Sequence, residues 1–292
     1  MCARFLFAWN RHASRNRPNL PSLPHLARND LSSPTASWPD TSPELLHGNL
    51  LMDFLRSLLF AVVLVVLTPP YALFSFLTFP LHPHTRYRII TSWARLVLWF
   101  VWHLLGIRHR VIGRENIPDQ PVVVLAKHQS AWETMALQLL FPRISFVLKR
   151  ELLKVPFFGW GLAQLPMIAI DRAAGKDALL QVVEQGRARL AEGFWVVVFP
   201  EGTRVPVGAT RRFKIGGAWL ATHADVPVIP IAHNAGEFWR RNAFLKRPGE
   251  IVVSVGPPIA TKGRDPSEVN AEAEAWISAE MKRLFPHHYH RS

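Results

Sequence analysis

The sequence predicts an α/β fold in which helices alternate with buried strands, preceded by a membrane-associated helical hairpin near the N-terminus. Three observations support this prediction: short runs rich in Val and Ile, stretches with helical spacing between them, and a long uncharged segment before them. The predicted strands are Pro121–Ala126, Ile144–Leu148, Met167–Ile170, Trp195–Phe199, Val228–Ile231 and Ile251–Val255. The predicted helices are Trp132–Leu140, Lys176–Glu192, Ile215–His223 and a last helix that opens at Asp265.

Composition divides the chain into four segments, of which the first, residues 1–51, is a low-complexity arm rich in Pro and Ser. Three interpretations of the arm remain open: a disordered extension, an Arg- and Ser-rich transit peptide, or a mis-assigned start upstream of Met52. We favour the mis-assigned start, because Met52 stands directly before a long apolar run. Membrane-associated helices follow over residues 52–105, then the α/β domain over 106–286 and a His-rich tail over 287–292.

The predicted hairpin rests on Ser57–Leu81, a run of 25 residues without a charge that is long enough to cross a bilayer. Pro69-Pro70 is expected to break this run in the middle, because neither proline can donate an i→i−4 hydrogen bond. Arginines flank both ends, which favours placing both ends in the cytoplasm. A re-entrant or interfacial hairpin, one kinked span and a buried soluble helix pair therefore remain as alternatives. The Trp-rich stretch Tyr87–Leu105 is either an interfacial helix or a core helix.

Two of the later helices carry end signals. The helix Lys176–Glu192 is followed by Gly193, a frequent residue just past a helix C-terminus. The last helix begins with Asp265-Pro266-Ser267-Glu268, which supplies a side-chain cap, proline at the first position and glutamate at the third. Its apolar residues then recur at helical spacing, as expected for a helix that packs on a sheet.

Net charge predicts anionic partners. Lys and Arg total 34 against 21 acidic residues, so the formal charge is +13. The basic residues are spread along the chain without a nucleic-acid-binding motif, and we therefore expect no nucleic-acid partner. Cys2 is the only cysteine, which excludes disulfides, thiolate zinc sites and a cysteine nucleophile in the α/β domain. The tract His287–His290 resembles a metal-binding sequence, but we interpret it as a mobile tail and expect no metal site.

The first chemical motif, K-H-Q-S-A-W-E, follows the strand that ends at Ala126. His128 can act there as a base, and Glu133, a little over one helical turn further on, can hold the other ring nitrogen. Such a carboxylate fixes the tautomer and stabilises the imidazolium that forms on proton transfer. The H-x4-E spacing is by itself a weak pattern. Ser130 is the single candidate nucleophile in the motifs, and we interpret it as a hydrogen-bonding loop residue.

The second motif, F-P-E-G-T-R at Phe199–Arg204, follows another buried strand. Its glycine permits a tight turn, and Arg204 offers a bidentate donor for phosphate. A further basic cluster, Arg211–Lys214, stands just before a helix whose N-terminus also favours an anion. Basic groups that converge after separate strands predict a site for a phosphate-bearing substrate.

With these motifs, the chain resembles the glycerolipid acyltransferase family, whose four blocks match in order from Pro121 to His233. The blocks are His128-x4-Glu133, P-M-I-A-I-D-R ending at Arg172, F-P-E-G-T-R, and V-P-V-I-P-I-A-H at Val226–His233. One position departs from the family pattern, since Glu133 stands where an aspartate is usual. The resemblance implies a mixed sheet flanked by helices.

The resemblance also implies an activity: transfer of a fatty acyl group from a thioester to the sn-2 hydroxyl of lysophosphatidic acid, forming phosphatidic acid without an acyl-enzyme. It makes His128 the general base and Glu133 its partner. The residues implied in acceptor binding are Arg172, Glu201, Gly202, Thr203, Arg204 and Lys214. Alternatives are acylation of another lyso-lipid, such as lyso-ornithine lipid, or a non-enzymatic membrane lipid-binding protein.

No cofactor is expected beyond the co-substrate, either acyl-CoA or acyl-acyl carrier protein. The expected partners are membrane phospholipid and the lyso-lipid, and the expected location is the bacterial inner membrane with the site on its cytoplasmic side. The aromatic stretch Val155–Gly161 is either an acyl groove near the membrane or ordinary core packing.

Overall fold

A computed structural model describes residues 50–289. The arm predicted over residues 1–51 lies outside the described residues except for Leu50 and Leu51, which are helical. The side chains of Arg172 and Lys176 also lie outside the described part. The statements below concern the described residues alone.

The N-terminal hairpin consists of helix α1, Leu50–Phe76, and helix α2, Pro83–His103. The prediction that Pro69-Pro70 breaks the apolar run is wrong, since both prolines lie inside α1. They deprive the carbonyls of Val65 and Val66 of their usual donors, and these two residues are 71% and 66% exposed. The chain reverses over residues 77–82 instead, and the hydroxyl of Tyr71 donates to the carbonyl of Ile89 at 2.8 Å across the hairpin.

Helix α2 is a core helix on one face and an exposed aromatic surface on the other. Ala94, Val97 and Val101 are buried in the main hydrophobic core, which resolves the two alternatives for this stretch in favour of packing. Trp99 and Trp102 point away from that core and are 52% and 39% exposed. The helix thus joins the hairpin firmly to the α/β domain.

The described strands form one seven-stranded sheet with the order β1-β7-β6-β2-β5-β3-β4. Neighbouring strands are parallel except for the β6–β7 pair, so the sheet is mixed, as the resemblance implied. Their bounds are Ile107–Ile112, Val123–Ala126, Ile144–Lys149, Ile168–Ile170, Trp195–Val198, Val228–His233 and Gly249–Val255 for β1 to β7. All six predicted strands are present. Strand β1 was missed because I-R-H-R-V-I at the sheet edge alternates with basic residues and lacks a continuous apolar run.

Helices cover both faces of the sheet. After α2 they are α3 to α8, with the bounds Trp132–Leu140, Phe158–Ala163, Lys176–Ala191, Gly216–His223, Ala235–Phe238 and Pro266–Leu284. The cap predicted for the last helix is present, with Asp265 Oδ1 accepting from the amide of Ser267 at 2.7 Å. Short 3₁₀ turns lie at Arg114–Asn116, Arg150–Lys154, Arg172–Ala174 and Pro286–His288.

The topology brings the motifs to one edge of the sheet. Strands β2 and β5 are fully buried, parallel neighbours. Val198, the last residue of β5, pairs with Leu125, one residue before the end of β2. The first motif and the F-P-E-G-T-R motif therefore emerge side by side. Strand β6, on the other side of β2, ends at His233 beside them. Open α/β sheets bind ligands outside the carboxyl ends of their strands, and this edge is such a place.

The C-terminal segment corrects another prediction. His287 and His288 were assigned to a mobile tail, but they belong to the 3₁₀ turn Pro286–His288. Tyr289 packs against the cluster that contains Phe213 and Phe285. The described domain therefore continues to Tyr289, while His290–Ser292 lie outside the described residues.

Candidate active site

The His128–Glu133 pair predicted from sequence is formed. Nδ1 of His128 lies 2.8 Å from Oε1 of Glu133, and the two side chains are 15% and 1% exposed. A carboxylate can only accept here, so neutral His128 carries its proton on Nδ1 and keeps a lone pair on Nε2. The ring of Phe199 stacks on the imidazole with centroids 4.1 Å apart, which fixes the ring plane. His128 lines a cavity, so Nε2 is placed to accept a proton from a bound hydroxyl.

Glu133 is anchored by its own loop. Oε1 also accepts from the amides of Gln129 and Ser130, at 2.9 and 2.8 Å. The hydroxyl of Ser130 donates to Oε2 at 2.7 Å and accepts from the amide of Trp132 at 2.9 Å. Ser130 is therefore a buried hydrogen-bonding residue of the loop, as interpreted from sequence. The longer glutamate arm keeps the histidine contact and also binds the amides that precede helix α3.

These contacts set the charge of Glu133. Burial alone would raise the pKa of this carboxyl, but the hydrogen bond from His128, the electrostatic effect of the neighbouring His233 and His128 imidazoles and the hydrogen bond from Ser130 together outweigh burial and lower the pKa to about 2. The group is thus ionised at every ordinary pH. The charged carboxylate beside Nδ1–H holds the tautomer that leaves Nε2 free and stabilises the imidazolium that proton transfer creates.

Glu201, for which the resemblance implied acceptor binding, faces the interior of the protein. Its side chain is 1% exposed, with Oε1 2.6 Å from the ammonium of Lys127 and Oε2 accepting from the amide of His128 at 2.7 Å. Both oxygens are therefore occupied inside the protein, and a second anion such as phosphate would be repelled. In this structure Glu201 is a positioning residue that ties the F-P-E-G-T-R loop to the His128 loop.

His233, to which the sequence analysis gave no role, supports the same loop from behind. Nε2–H donates to the carbonyl of Lys127 at 2.8 Å, and Nδ1 accepts from the amide of Ala235 at 3.3 Å. Burial lowers the pKa of this 1% exposed ring, which favours the neutral form. The signal for it was its place at the end of strand β6, next to β2. Gln129 is held in a similar way, since its Oε1 accepts from the amide of Gly236 at 3.1 Å.

The basic side of the site is built on the turn after β5. Gly202 has φ = 72°, and a Cβ there would stand 3.0 Å from Cε of Lys214, so the turn favours glycine and brings the exposed Lys214 close. Arg204 lines the cavity, and its buried Nε–H has no hydrogen-bond partner among the described residues. Thr203 is half-buried between them. A partly exposed arginine with an unused buried donor is suited to an anionic ligand.

Arg172 is placed only by its backbone. It begins the 3₁₀ turn that follows β4, at the same edge of the sheet as the other motifs, and its side chain lies outside the described part. Arg211 and Arg212 are exposed, while Phe213 between them and Lys214 is buried and anchors this cluster to the last helix.

An apolar cavity of about 330 Å³ extends from His128 to the hairpin. One wall is formed by α1 and α2, and the opposite wall by α3, β3 and the aromatic stretch after β3. Phe157, Phe158 and Gly161 lie in that stretch, which therefore lines a groove in addition to packing. Arg204 and His128 are among its polar lining residues. An aliphatic chain with a polar head fits this distribution of side chains.

The chain is similar to known proteins in family, in sequence and in fold. A family model described as Acyltransferase matches residues 108–234. The 1-acyl-sn-glycerol-3-phosphate acyltransferase of Pseudomonas aeruginosa is 46% identical over 237 residues, which cover 80% of this chain and 92% of that protein. The human 1-acyl-sn-glycerol-3-phosphate acyltransferase alpha is 35% identical over 183 residues, which cover 62% of this chain and 65% of that protein. The crystal structure of a 1-acyl-sn-glycerophosphate acyltransferase from Thermotoga maritima matches in fold, with a TM-score of 0.66 and 22% identity over 80% of this chain and 98% of that chain.

Proposed function

Because the chain belongs to the acyltransferase family, we propose that it transfers a fatty acyl group from a thioester to the sn-2 hydroxyl of lysophosphatidic acid. The names of the bacterial and human relatives support this acceptor. The observation that carries the proposal is a mainly apolar cavity lined by Arg204 and by His128, which is paired with Glu133. The product would be phosphatidic acid.

The proposed chemistry needs one base and no covalent intermediate. Nε2 of His128 takes the proton of the acceptor hydroxyl while its oxygen attacks the thioester carbonyl carbon. The tetrahedral intermediate then collapses, the carbon–sulfur bond breaks, and the imidazolium returns the proton to the leaving thiolate. Glu133 stays ionised throughout, because its pKa is about 2, and it stabilises the imidazolium between these two steps.

The phosphate of the acceptor is assigned to Arg204, which has an unused buried donor, with Lys214 beside it. Arg172 stays a proposal for the same role, based on its place after β4. The apolar cavity is assigned to an acyl chain. Coenzyme A and acyl carrier protein are both negatively charged carriers of an acyl thioester, and the protein has a net charge of +13. We therefore retain both acyl-CoA and acyl-acyl carrier protein as donors.

The site is proposed to work at a membrane surface. Among residues 50–289, α1 is the one helix long and apolar enough to cross a bilayer. However, its inner face contacts the α/β domain near both ends: Ser57 accepts from the amide of Lys246 at 2.9 Å, and Ser75 accepts from Gln164. A helix that contacts the α/β domain near both ends on one face and exposes apolar side chains on the other fits insertion into one leaflet better than a full crossing. We place the protein on the cytoplasmic side of a bacterial inner membrane.

The test is acyl transfer by the purified full chain in phospholipid vesicles, with radiolabelled acyl-CoA or acyl-acyl carrier protein. Lysophosphatidic acid and lyso-ornithine lipid are offered as acceptors. We expect transfer to lysophosphatidic acid, its loss in His128→Ala, and its retention in the control His223→Ala, which changes an exposed histidine on α6. Preference for lyso-ornithine lipid would replace the acceptor, and lipid binding without any transfer would support the non-enzymatic alternative.

A further inference from the structure

We propose that Glu237, His287 and His288 form a binding site for a divalent transition metal of the Zn²⁺ class, which fastens the C-terminal segment to the domain. Glu237 lies on α7, directly after strand β6, whereas the two histidines lie in the 3₁₀ turn near the end of the chain. One potential ligand atom from each residue lies within 4.8 Å of the others. The fold thus brings together side chains from segments about fifty positions apart.

The distances suit a tetrahedral ion. Oε1 of Glu237 lies 2.7 Å from Nε2 of His288, and Oε2 lies 3.8 Å from Nε2 of His287. Bonds of about 2.0–2.1 Å to a tetrahedral metal place neighbouring ligand atoms roughly 3.3 Å apart. The two observed separations each involve a different oxygen of Glu237 and lie on either side of that value, so small side-chain rotations bring one oxygen to this distance from both imidazoles.

The two atoms in closest contact lack a well-directed hydrogen bond. Oε1 of Glu237 and Nε2 of His288 are both buried, and neither makes a well-directed hydrogen bond to any described residue, despite their separation of 2.7 Å. Buried polar atoms normally have a partner. A cation between these two atoms would give each of them one.

The donor set also identifies the class of ion. Two imidazoles and one carboxylate are ligands typical of Zn²⁺ and its neighbours in the first transition row, whereas Mg²⁺ and Ca²⁺ prefer sets made of oxygen alone. His287 is exposed, which leaves a fourth coordination position open to water.

The site lies next to both loops of the active site. Gly236, the neighbour of Glu237, donates to Gln129 in the His128 loop. The carbonyl of His288 lies so close to Gly208 that a Cβ at that glycine would stand 2.7 Å from it. Gly208 follows Arg204 along the same loop. A metal at Glu237 would therefore hold the C-terminal turn against the loops that carry the base and the arginine.

The experiment uses the full chain without an affinity tag, stripped with a chelator and held in detergent. Co²⁺ is titrated first, because its visible spectrum reports tetrahedral coordination, and Zn²⁺ is then added as a competitor. We expect one saturable site per chain. Glu237→Gln and His287→Ala should each weaken binding by at least about tenfold. The matched control is His290→Ala, which changes the same His-rich tract and should bind as the unaltered protein does.

Glu237→Gln distinguishes a specific three-residue site from non-specific metal binding by the histidine tract. Glutamine has nearly the same shape as glutamate, and position 237 is far from the tract in sequence. Binding in Glu237→Gln equal to that of the unaltered chain would overturn the proposal, as would the absence of a saturable site. The proposal would also be overturned if His290→Ala lost metal binding while Glu237→Gln and His287→Ala kept it. His287 is exposed, so its alanine variant should fold normally and keeps the test decisive if the glutamine variant is unstable.

Discussion

Replacing Glu201 with glutamine tests the buried ion pair that joins the two loops of the site. The carboxylate accepts from Lys127 Nζ at 2.6 Å and from the amide of His128 at 2.7 Å. Glutamine keeps one acceptor oxygen but turns an NH₂ group toward the second donor. Either the ammonium or the amide then loses its partner in a site where both side chains of the pair are at most 6% exposed. Leaving such a charge unpaired costs about 3–5 kcal/mol, a large part of a usual domain stability of about 5–15 kcal/mol.

Catalysis should fall as well, because the amide of His128 is one of the groups that place the imidazole. A displacement of about 1 Å at a reacting group can cost about 100-fold in rate, so we expect kcat to fall by that order. KM for the acceptor should change less, since neither oxygen of Glu201 is free to contact it. This separation of kcat from KM distinguishes positioning from substrate binding.

Stability is measured by urea unfolding in detergent with tryptophan fluorescence, and activity by acyl transfer. The matched control is Glu250→Gln, which removes an exposed pair, Arg110–Glu250, at 2.9 Å; its cost should be below about 1 kcal/mol. Adding Lys127→Met to Glu201→Gln removes the unpaired ammonium and should restore part of the stability. The reasoning is refuted if Glu201→Gln costs no more than the control, or if the double variant is no more stable than Glu201→Gln alone.

Three further predictions concern the same site. The pKa of Glu133 is lowered from 4.5 to about 2, so its contribution to stability is complete above about pH 4.5 and is lost as the pH falls toward 2. Glu133→Gln should therefore reduce the slope of the unfolding free energy against pH on the acid side. Equal slopes in the two proteins would contradict this. Arg204→Ala should raise KM for the acceptor by about tenfold or more, because a charge-assisted hydrogen bond is lost. The control is Arg212→Ala, which changes an exposed arginine, and KM is measured from initial rates against acceptor concentration. Equal KM values in the two variants would remove Arg204 from the phosphate site. Gly161 lines the cavity and has open space where a Cβ would stand, so Gly161→Leu should shift the donor preference to shorter acyl chains with little change in stability, as measured with a series of acyl-CoA lengths; an unchanged preference would place the chain elsewhere.

Much of this site could be predicted from sequence because its main contacts are local or follow from parallel strands. His128 and Glu133 are joined through one loop and one helical turn, and the two central strands are continuous apolar runs that only a buried sheet explains. The family resemblance supplied the mixed sheet, which periodicity alone does not specify. Parallel pairing of β2 and β5 then placed the two motifs together.

Other features depend on contacts that no local pattern encodes. The inward orientation of Glu201 requires a lysine 74 positions away, and the docking of His288 requires Glu237. Strand β1 lies at the edge of the sheet and pairs with β7, whose partner residues are 142 positions further on, and its alternating arginines leave no continuous apolar run. The two prolines of α1 do not break the helix. The residues whose carbonyls lose a backbone donor to these prolines, Val65 and Val66, are exposed, and a run of sequence letters does not show that exposure.

The cavity has a consequence for any attempt to obtain a water-soluble form by trimming the apolar hairpin. Leu64, Tyr71 and Ser75 of α1 form part of its wall, and Phe60 packs edge-on against Trp239 at 5.5 Å. A chain shortened to begin after α1 would lose that part of the wall and open the cavity to water. The helix that is long and apolar enough to enter a bilayer thus also encloses the candidate site, so we expect a cut after α1 to cost activity as well as apolar surface.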